Sequence, residues 1–214
     1  MLETLEHITF FLGKAICHQL PERTFMIDGH YLPICSRCAG IYIGIFSSLL
    51  YLFLKKRYVS STIPSTKISL FLLLLLFPLM IDGFGSYLGI YTTNNLIRVI
   101  TGFVFGTVLP FFVVPLLSHS FKEKFQTPVL TNMREFFIPL LASGVISILT
   151  YLSMLPFLLL NFLVIGTIII WVTSLFFLFF KKIKNHYVSA CLSLMSCILT
   201  LVILSHLHDW ILPS

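Results

Sequence analysis

Three of the chain's five cysteines fall within one short stretch, spelled Cys17-His18, then Cys35-x-x-Cys38. A Cys-x-x-Cys turn brings two sulfurs close enough to grip one metal ion, and Cys17 with His18 offers two more donors. Three sulfurs and an imidazole nitrogen form a tetrahedral set suited to Zn2+, and four filled positions make such a site structural. Side chains at adjacent positions diverge, so one of Cys17 and His18 could stand behind the ligands instead, with His30 in the same loop as a substitute. The same spacing also serves thiol–disulfide exchange, with Cys35 and Cys38 as the reactive pair, Cys17 as a resolving thiol and Arg37 favouring the thiolate. The odd third cysteine weighs toward metal, because one disulfide would leave a thiol over. Cys191 and Cys197 lie inside the last apolar run and read as small hydrophobes.

Asp82 stands at the end of another apolar run, where a carboxylate is costly and implies a partner. Arg98 follows after a polar stretch containing Gly83, Gly85, Gly89, Asn94 and Asn95, so an Asp82–Arg98 ion pair is expected. The chemical alternative makes these two the catalytic candidates, with Asp82 a general base or metal ligand and Arg98 a fork for an anionic headgroup. Near the C-terminus, His206-x-His208-Asp209-Trp210 places two histidines on different helix faces; an interfacial belt anchored by tryptophan accounts for them. They are kept only as extra ligands.

These residues must be held by membrane helices. The chain has 214 residues, 57% hydrophobic and 10% charged, with a mean hydropathy of +0.99. Typical soluble chains carry about 25% charged residues. Disorder, collagen, coiled coil and a disulfide-framed secreted module are excluded on the same grounds. Continuous apolar runs, rather than alternating ones, argue for helices over a closed barrel. Six spans are expected, over residues 39–54, 68–88, 96–117, 136–154, 156–180 and 187–204, giving an all-α polytopic bundle. Residues 5–16, interrupted by His7 and Lys14, are too short an apolar stretch to cross and are expected to form an interfacial amphipathic helix. The start also lacks a cleavable signal pattern, so the first span is expected to direct insertion.

The charges between spans fix an expected orientation. Lys55, Lys56, Arg57 and Lys67 flank the first loop, Lys122, Lys124 and Arg134 lie in the third, and Lys181, Lys182 and Lys184 in the fifth. The second and fourth loops lack lysine and arginine. Basic loops are retained in the cytoplasm, which puts the Cys/His loop and the C-terminus outside the cell membrane. The net charge of +6 is therefore topological and implies no nucleic-acid partner. Gly40-x3-Gly44 and Gly102-x3-Gly106 permit close helix contact, which would draw the first and third spans, and with them the polar residues, together.

The pattern Cys17-His18-Gln19, Pro21, Arg23, then Cys35-x-Arg37-Cys38-x-Gly40-Ile41-Tyr42-x-Gly44, resembles a prokaryotic multi-pass membrane-protein family catalogued as a domain of unknown function. Asp82-Gly83 and Asn95-x2-Arg98-x2-Thr101-Gly102 resemble its later motif; Thr24 replaces an expected serine. The resemblance covers about residues 14–106 and groups these residues into one site without implying a reaction. Two units are accordingly expected, residues 1–117 with the site and residues 118–214 as a plainer bundle.

Three functions compete. A zinc-centred protein would work in the bilayer on a lipid-linked or other anionic substrate, with Asp82 as base if a fourth coordination position stays open. A thiol–disulfide oxidoreductase would use the Cys35/Cys38 pair. A scaffold or transporter would use the cysteine loop only as a brace; the scarcity of intramembrane charge and of internal repeats counts against transport.

Overall fold

The computed structural model describes residues 2–118, 128–183 and 185–211, so Lys122, Lys124 and Lys184 lie outside the described residues. Among the described residues, six segments are long and apolar enough to cross a membrane: Ser36–Leu54, Thr66–Tyr87, Asn95–Ser118, Met133–Tyr151, Phe157–Phe180 and His186–Ile211. The protein is thus a polytopic helical bundle, with its spans where the apolar runs require them.

Helix α1 (Leu2–Lys14) precedes the first span. Its 13 residues extend about 20 Å at about 1.5 Å per residue, short of a hydrocarbon core of about 30 Å. It lies across one end of the bundle, packed on the loop hairpin and on the last two helices. Asn161 in the fifth span donates to Thr9 Oγ1 at 3.2 Å, a buried polar tie between α1 and that helix.

Between α1 and the first span the loop folds into a two-stranded antiparallel hairpin, β1 (Thr24–Ile27) and β2 (His30–Cys35), after a single 3-10 turn at Pro21–Arg23. Asp28 and Gly29 form its two-residue turn with φ of 53° and 82°. Positive φ at both central positions matches the right-handed strand twist, and Asp-Gly is a preferred pair there. Ile27, Leu32 and Ile34 are fully buried beneath the hairpin; burying each contributes about 1.5–3 kcal/mol relative to exposure. Asp28 also accepts a hydrogen bond from the Phe157 N–H at 3.0 Å, satisfying one of the free donors that begin the fifth span.

The first span is α2 (Ser36–Leu54) and the second is α3 (Thr66–Leu74) followed by α4 (Phe77–Tyr87). The break falls just before Pro78, which lacks an N–H and would clash with the carbonyl four residues earlier. The remaining spans are α5 (Asn95–Ser118), α6 (Met133–Tyr151), α7 (Phe157–Phe180) and α8 (His186–Ile211). Helix α8 runs beyond the expected end near residue 204. Its polar last turns are carried off the apolar face and docked on α1, where His206 meets the Phe11 ring at 5.3 Å and Lys14 pairs with Asp209 at 2.7 Å.

Helices α2 and α5 run parallel in close contact. A Cβ added to Gly44 would strike the Phe103 carbonyl, and one on Gly106 the Ile41 carbonyl. Both glycine pairs identified in the sequence therefore face one another, as small residues do where membrane helices approach backbone to backbone. Ser48 Oγ donates to the Thr107 carbonyl at 2.8 Å further along the same seam. Two neighbouring helix N-termini are thereby set side by side at the hairpin end. At the opposite end, Arg57 grips Glu135 with two bonds of 2.5 and 3.0 Å, and Lys181 donates to the Leu116 carbonyl at 3.0 Å.

Candidate metal centre and polar cavity

Each cysteine of the cluster is placed by a different device. Cys17 follows the C-terminal turn of α1, where the Ile16 and Cys17 N–H groups both donate to the Gly13 carbonyl at 3.0 Å. Gln19, at a φ of 52°, then reverses the chain and clamps it, donating to the Phe10 and Pro33 carbonyls at 2.8 and 2.7 Å. Cys35 ends β2 and caps α2; Cys38 lies in the first turn of α2, three residues on and on the same face.

The three sulfurs lie within 4.8 Å of one another. A tetrahedral zinc ion with Zn–S bonds of about 2.3 Å holds two sulfurs about 3.8 Å apart, so the spacing has the scale of a shared ion. Cys17 is buried, and its sulfur accepts the Cys35 N–H at 3.2 Å. Hydrogen bonds from the Cys35 thiol, then from the Cys38 thiol, hold Cys17 far below the ordinary thiol range. Cys35 is pushed up, first because its own thiol serves as donor to Cys17. The N–H at the start of α2 thus points its positive end at the Cys17 sulfur.

His18 does not join the sulfurs. It lines the same cavity, with its ring 5.9 Å from that of His208. His30, the substitute ligand, is engaged elsewhere: Nδ1 lies 2.6 Å from Glu6 Oε1 and the ring stacks on Phe157.

The expected Asp82–Arg98 ion pair does not form. Asp82 pairs with Arg37, whose Nε and Nη2 approach one carboxylate oxygen at 3.0 and 2.5 Å. The Tyr91 hydroxyl and Thr101 Oγ1 each add a bond to the carboxylate at 3.4 Å. Packing of α2 against α5 at the glycines turns Arg37 toward α4. Arg98, one turn into α5, donates instead to Asn95 Oδ1 at 3.2 Å on its own helix. The Ser36 hydroxyl lies 3.0 Å from both Asn95 Oδ1 and the Arg23 carbonyl and shares its one proton between them, so the starts of α2 and α5 and the 3-10 turn are tied together.

These elements enclose a cavity of about 540 Å³. Its wall includes all three cysteines and the guanidinium side chains of Arg23, Arg37 and Arg98, and among the described residues no aspartate or glutamate lines it. Residue type alone did not single out Gln19, Arg23, Thr101 or Tyr91 as site elements. The first three stood within the family-like motifs, which was the available signal; Tyr91 lay in a connection with no such mark.

A family described as "Predicted membrane protein (DUF2085)" matches residues 17–112, from the first cysteine into α5. An uncharacterized protein of Methanothermobacter thermautotrophicus is 47% identical over 94 residues, which is 44% of this chain and 79% of that one. The chain belongs to this family. An uncharacterized protein of Methanocaldococcus jannaschii is 36% identical over 114 residues, 53% of this chain and 70% of its own length. No solved structure matches. The DUF2085 match holds all three cysteines, Arg23, Arg37, Asp82 and Arg98, and leaves out α6, α7 and α8.

Proposed function

We propose that this DUF2085 protein is a zinc-centred membrane protein whose ion is held by Cys17, Cys35 and Cys38 on the extracytoplasmic side. The observation that carries this reading is the convergence of three unpaired sulfurs within 4.8 Å, from the turn after α1, from β2 and from α2. Three thiolates would leave one tetrahedral position for an incoming oxygen or nitrogen atom, or for His18 after a shift of its ring from its place in the cavity wall. A zinc ion bound there supplies a Lewis acid toward whatever enters. The side chains around it set charge and position. Arg37 presents its guanidinium to the cavity because Asp82 holds it from behind, and the oxygens of Asp82 are already engaged by Arg37, Tyr91 and Thr101. Asp82 is thus a positioning residue for Arg37 rather than a free base.

The extracytoplasmic placement rests on the distribution of basic loops. Lys55, Lys56, Arg57, Lys67, Arg134, Lys181 and Lys182 gather at the end away from the hairpin, where the positive-inside rule expects the cytoplasm. Residues 1–117 act in this reading as the site-bearing unit, with residues 118–214 bracing it.

Elemental analysis of the protein purified in detergent without added metal tests the assignment. About one zinc per chain is expected, falling at least tenfold in Cys35→Ser and Cys17→Ser. A metal-free wild-type protein, or one whose Cys35 and Cys38 are joined as a disulfide, overturns the zinc reading.

A further inference from the structure

Arg98 is only 9% exposed, yet among the described residues its one side-chain hydrogen bond is to the neutral Asn95 and no carboxylate lies within ion-pair distance of it. A buried guanidinium without a counter-charge is costly. Its charged neighbours in the cavity wall, Arg23 and Arg37, add to the positive field, and the one nearby buried carboxylate, Asp82, is committed to Arg37. The N-terminal turns of α2 and α5 contain no acidic residue and turn their positive ends to the same place. A planar guanidinium with free N–H groups matches two oxygens of a phosphate. The cavity is thus built for an anion.

Its other side is apolar. A second cavity of about 360 Å³ runs along α4, bounded by Leu79, Met80 and Phe84, and it shares Gly83 and Tyr87 with the first. Met80 and Phe84 are 46% and 65% exposed in the segment Thr66–Tyr87, which is long and apolar enough to cross a membrane. A Cβ on Gly83 would meet nothing within 4 Å, so space is open beside a residue that borders both cavities. A polar chamber that opens sideways into an apolar groove on a lipid-facing helix fits a molecule with a charged head and a hydrocarbon chain.

We propose that the joined cavities bind a phosphate-bearing amphiphile, its phosphate on Arg98 beside Arg23 and Arg37, its chain along Leu79, Met80 and Phe84. The inference shares its cavity with the zinc reading and goes beyond it; it does not require the metal.

Calorimetric titration of the purified full chain in nonionic detergent tests it, using dihexanoyl phosphatidic acid, inorganic phosphate and dihexanoylglycerol as separate probes. Saturable binding of phosphatidic acid is expected, with the uncharged glyceride at least tenfold weaker. Arg98→Gln should weaken phosphatidic acid at least tenfold, and Arg98→Lys should recover part of the loss. Gly83→Leu, which places a side chain in the open space where the two cavities adjoin, should weaken phosphatidic acid severalfold more than phosphate; it decides the matter if Arg98→Gln does not fold. Absence of saturable binding, or an Arg98→Gln protein that binds as the wild type does, overturns the proposal. Phosphate binding as tight as phosphatidic acid, with both indifferent to Gly83→Leu, overturns the amphiphile and leaves a free-anion site. Zinc content measured on the same samples separates the two readings. Zinc without an amphiphile response defeats this inference alone; the reverse result defeats the zinc centre alone.

Discussion

The two ends of the bundle each hold an arginine–carboxylate contact, and they use it differently. At the basic end, Arg57 and Glu135 meet through two bonds, and the remaining groups are consumed locally: the Thr131 N–H donates to Glu135 and the Val129 carbonyl accepts from Arg57. That arrangement is a clasp between the α2–α3 connection and α6. At the hairpin end, Arg37 and Asp82 meet just as closely, but two further guanidiniums and three thiols stand around them facing a cavity. Polar groups inside a membrane protein are expensive wherever they occur. One end neutralises that cost internally, and the other leaves it for a ligand to neutralise. The seam between α2 and α5 connects the two ends and fixes the rotation of α2 that presents Arg37 and Cys38 to the cavity.

The largest expected effect comes from breaking that seam. Gly44→Leu or Gly106→Leu drives a side chain into the backbone of the partner helix, where no rotamer change relieves the clash. Both variants should lose folded, monodisperse protein in detergent, and with it any bound metal. Gly166 serves as the control, because a Cβ there meets nothing within 4 Å; Gly166→Ala should elute and melt as the wild type does. A Gly44→Leu protein that still purified folded with metal would show that the site needs no α2–α5 contact.

Much of this was legible in the sequence. Hydropathy placed all six spans, because backbone groups in hydrocarbon must be satisfied within each helix and only long apolar runs achieve it. The glycine spacings were legible for a similar reason: only small residues permit backbone contact. The hairpin was not read, although Asp28-Gly29 stands between alternating Phe25, Ile27 and Leu32, Ile34. Strands of four and six residues carry too little periodicity to stand out from a loop. The partner of Asp82 was illegible for a deeper reason. Three arginines come near one another, and which of them reaches the carboxylate depends on the rotation of α2, a tertiary quantity. Residue type and spacing grouped Cys17, Cys35 and Cys38, whose sulfurs the fold brings within 4.8 Å of one another. They could not tell that His18 turns toward His208, since adjacent residues share no direction.

The next effect contrasts the two ion pairs directly. Asp82 is almost wholly enclosed, and Asp82→Asn leaves Arg37 without its counter-charge; breaking a buried pair in this way costs about 3–5 kcal/mol. Arg37 borders a cavity that water can enter, which places the expected loss near the lower figure. Glu135→Gln removes the acid from a pair whose two side chains are 20% and 22% exposed, and solvent screening reduces its cost to roughly 1 kcal/mol. Chemical unfolding in mixed micelles should rank Asp82→Asn well below Glu135→Gln. Added salt should narrow the gap between wild type and Glu135→Gln more than that for Asp82→Asn. Equal losses at the two ends would mean that the hairpin end is a clasp like the other.

The smallest effect separates the scaffold of the hairpin end from its chemistry. Gly29 sits at a φ of 82° with open space around it, so Gly29→Ala meets no clash and costs only the backbone preference, about 1–2 kcal/mol. That strain falls on the turn joining β1 to β2, and β2 delivers Cys35 through the Thr24–Cys35 pairing at the far end of the hairpin. If the hairpin only positions the sulfur, the strain reaches it diluted by the intervening pairs and by the buried Leu32 and Ile34. Competition with a chromogenic chelator should then show zinc affinity lowered severalfold in Gly29→Ala, against the tenfold or greater loss in Cys35→Ser. A Gly29→Ala loss as large as the ligand's own would mean that the turn, and not the start of α2, sets the geometry of the sulfurs.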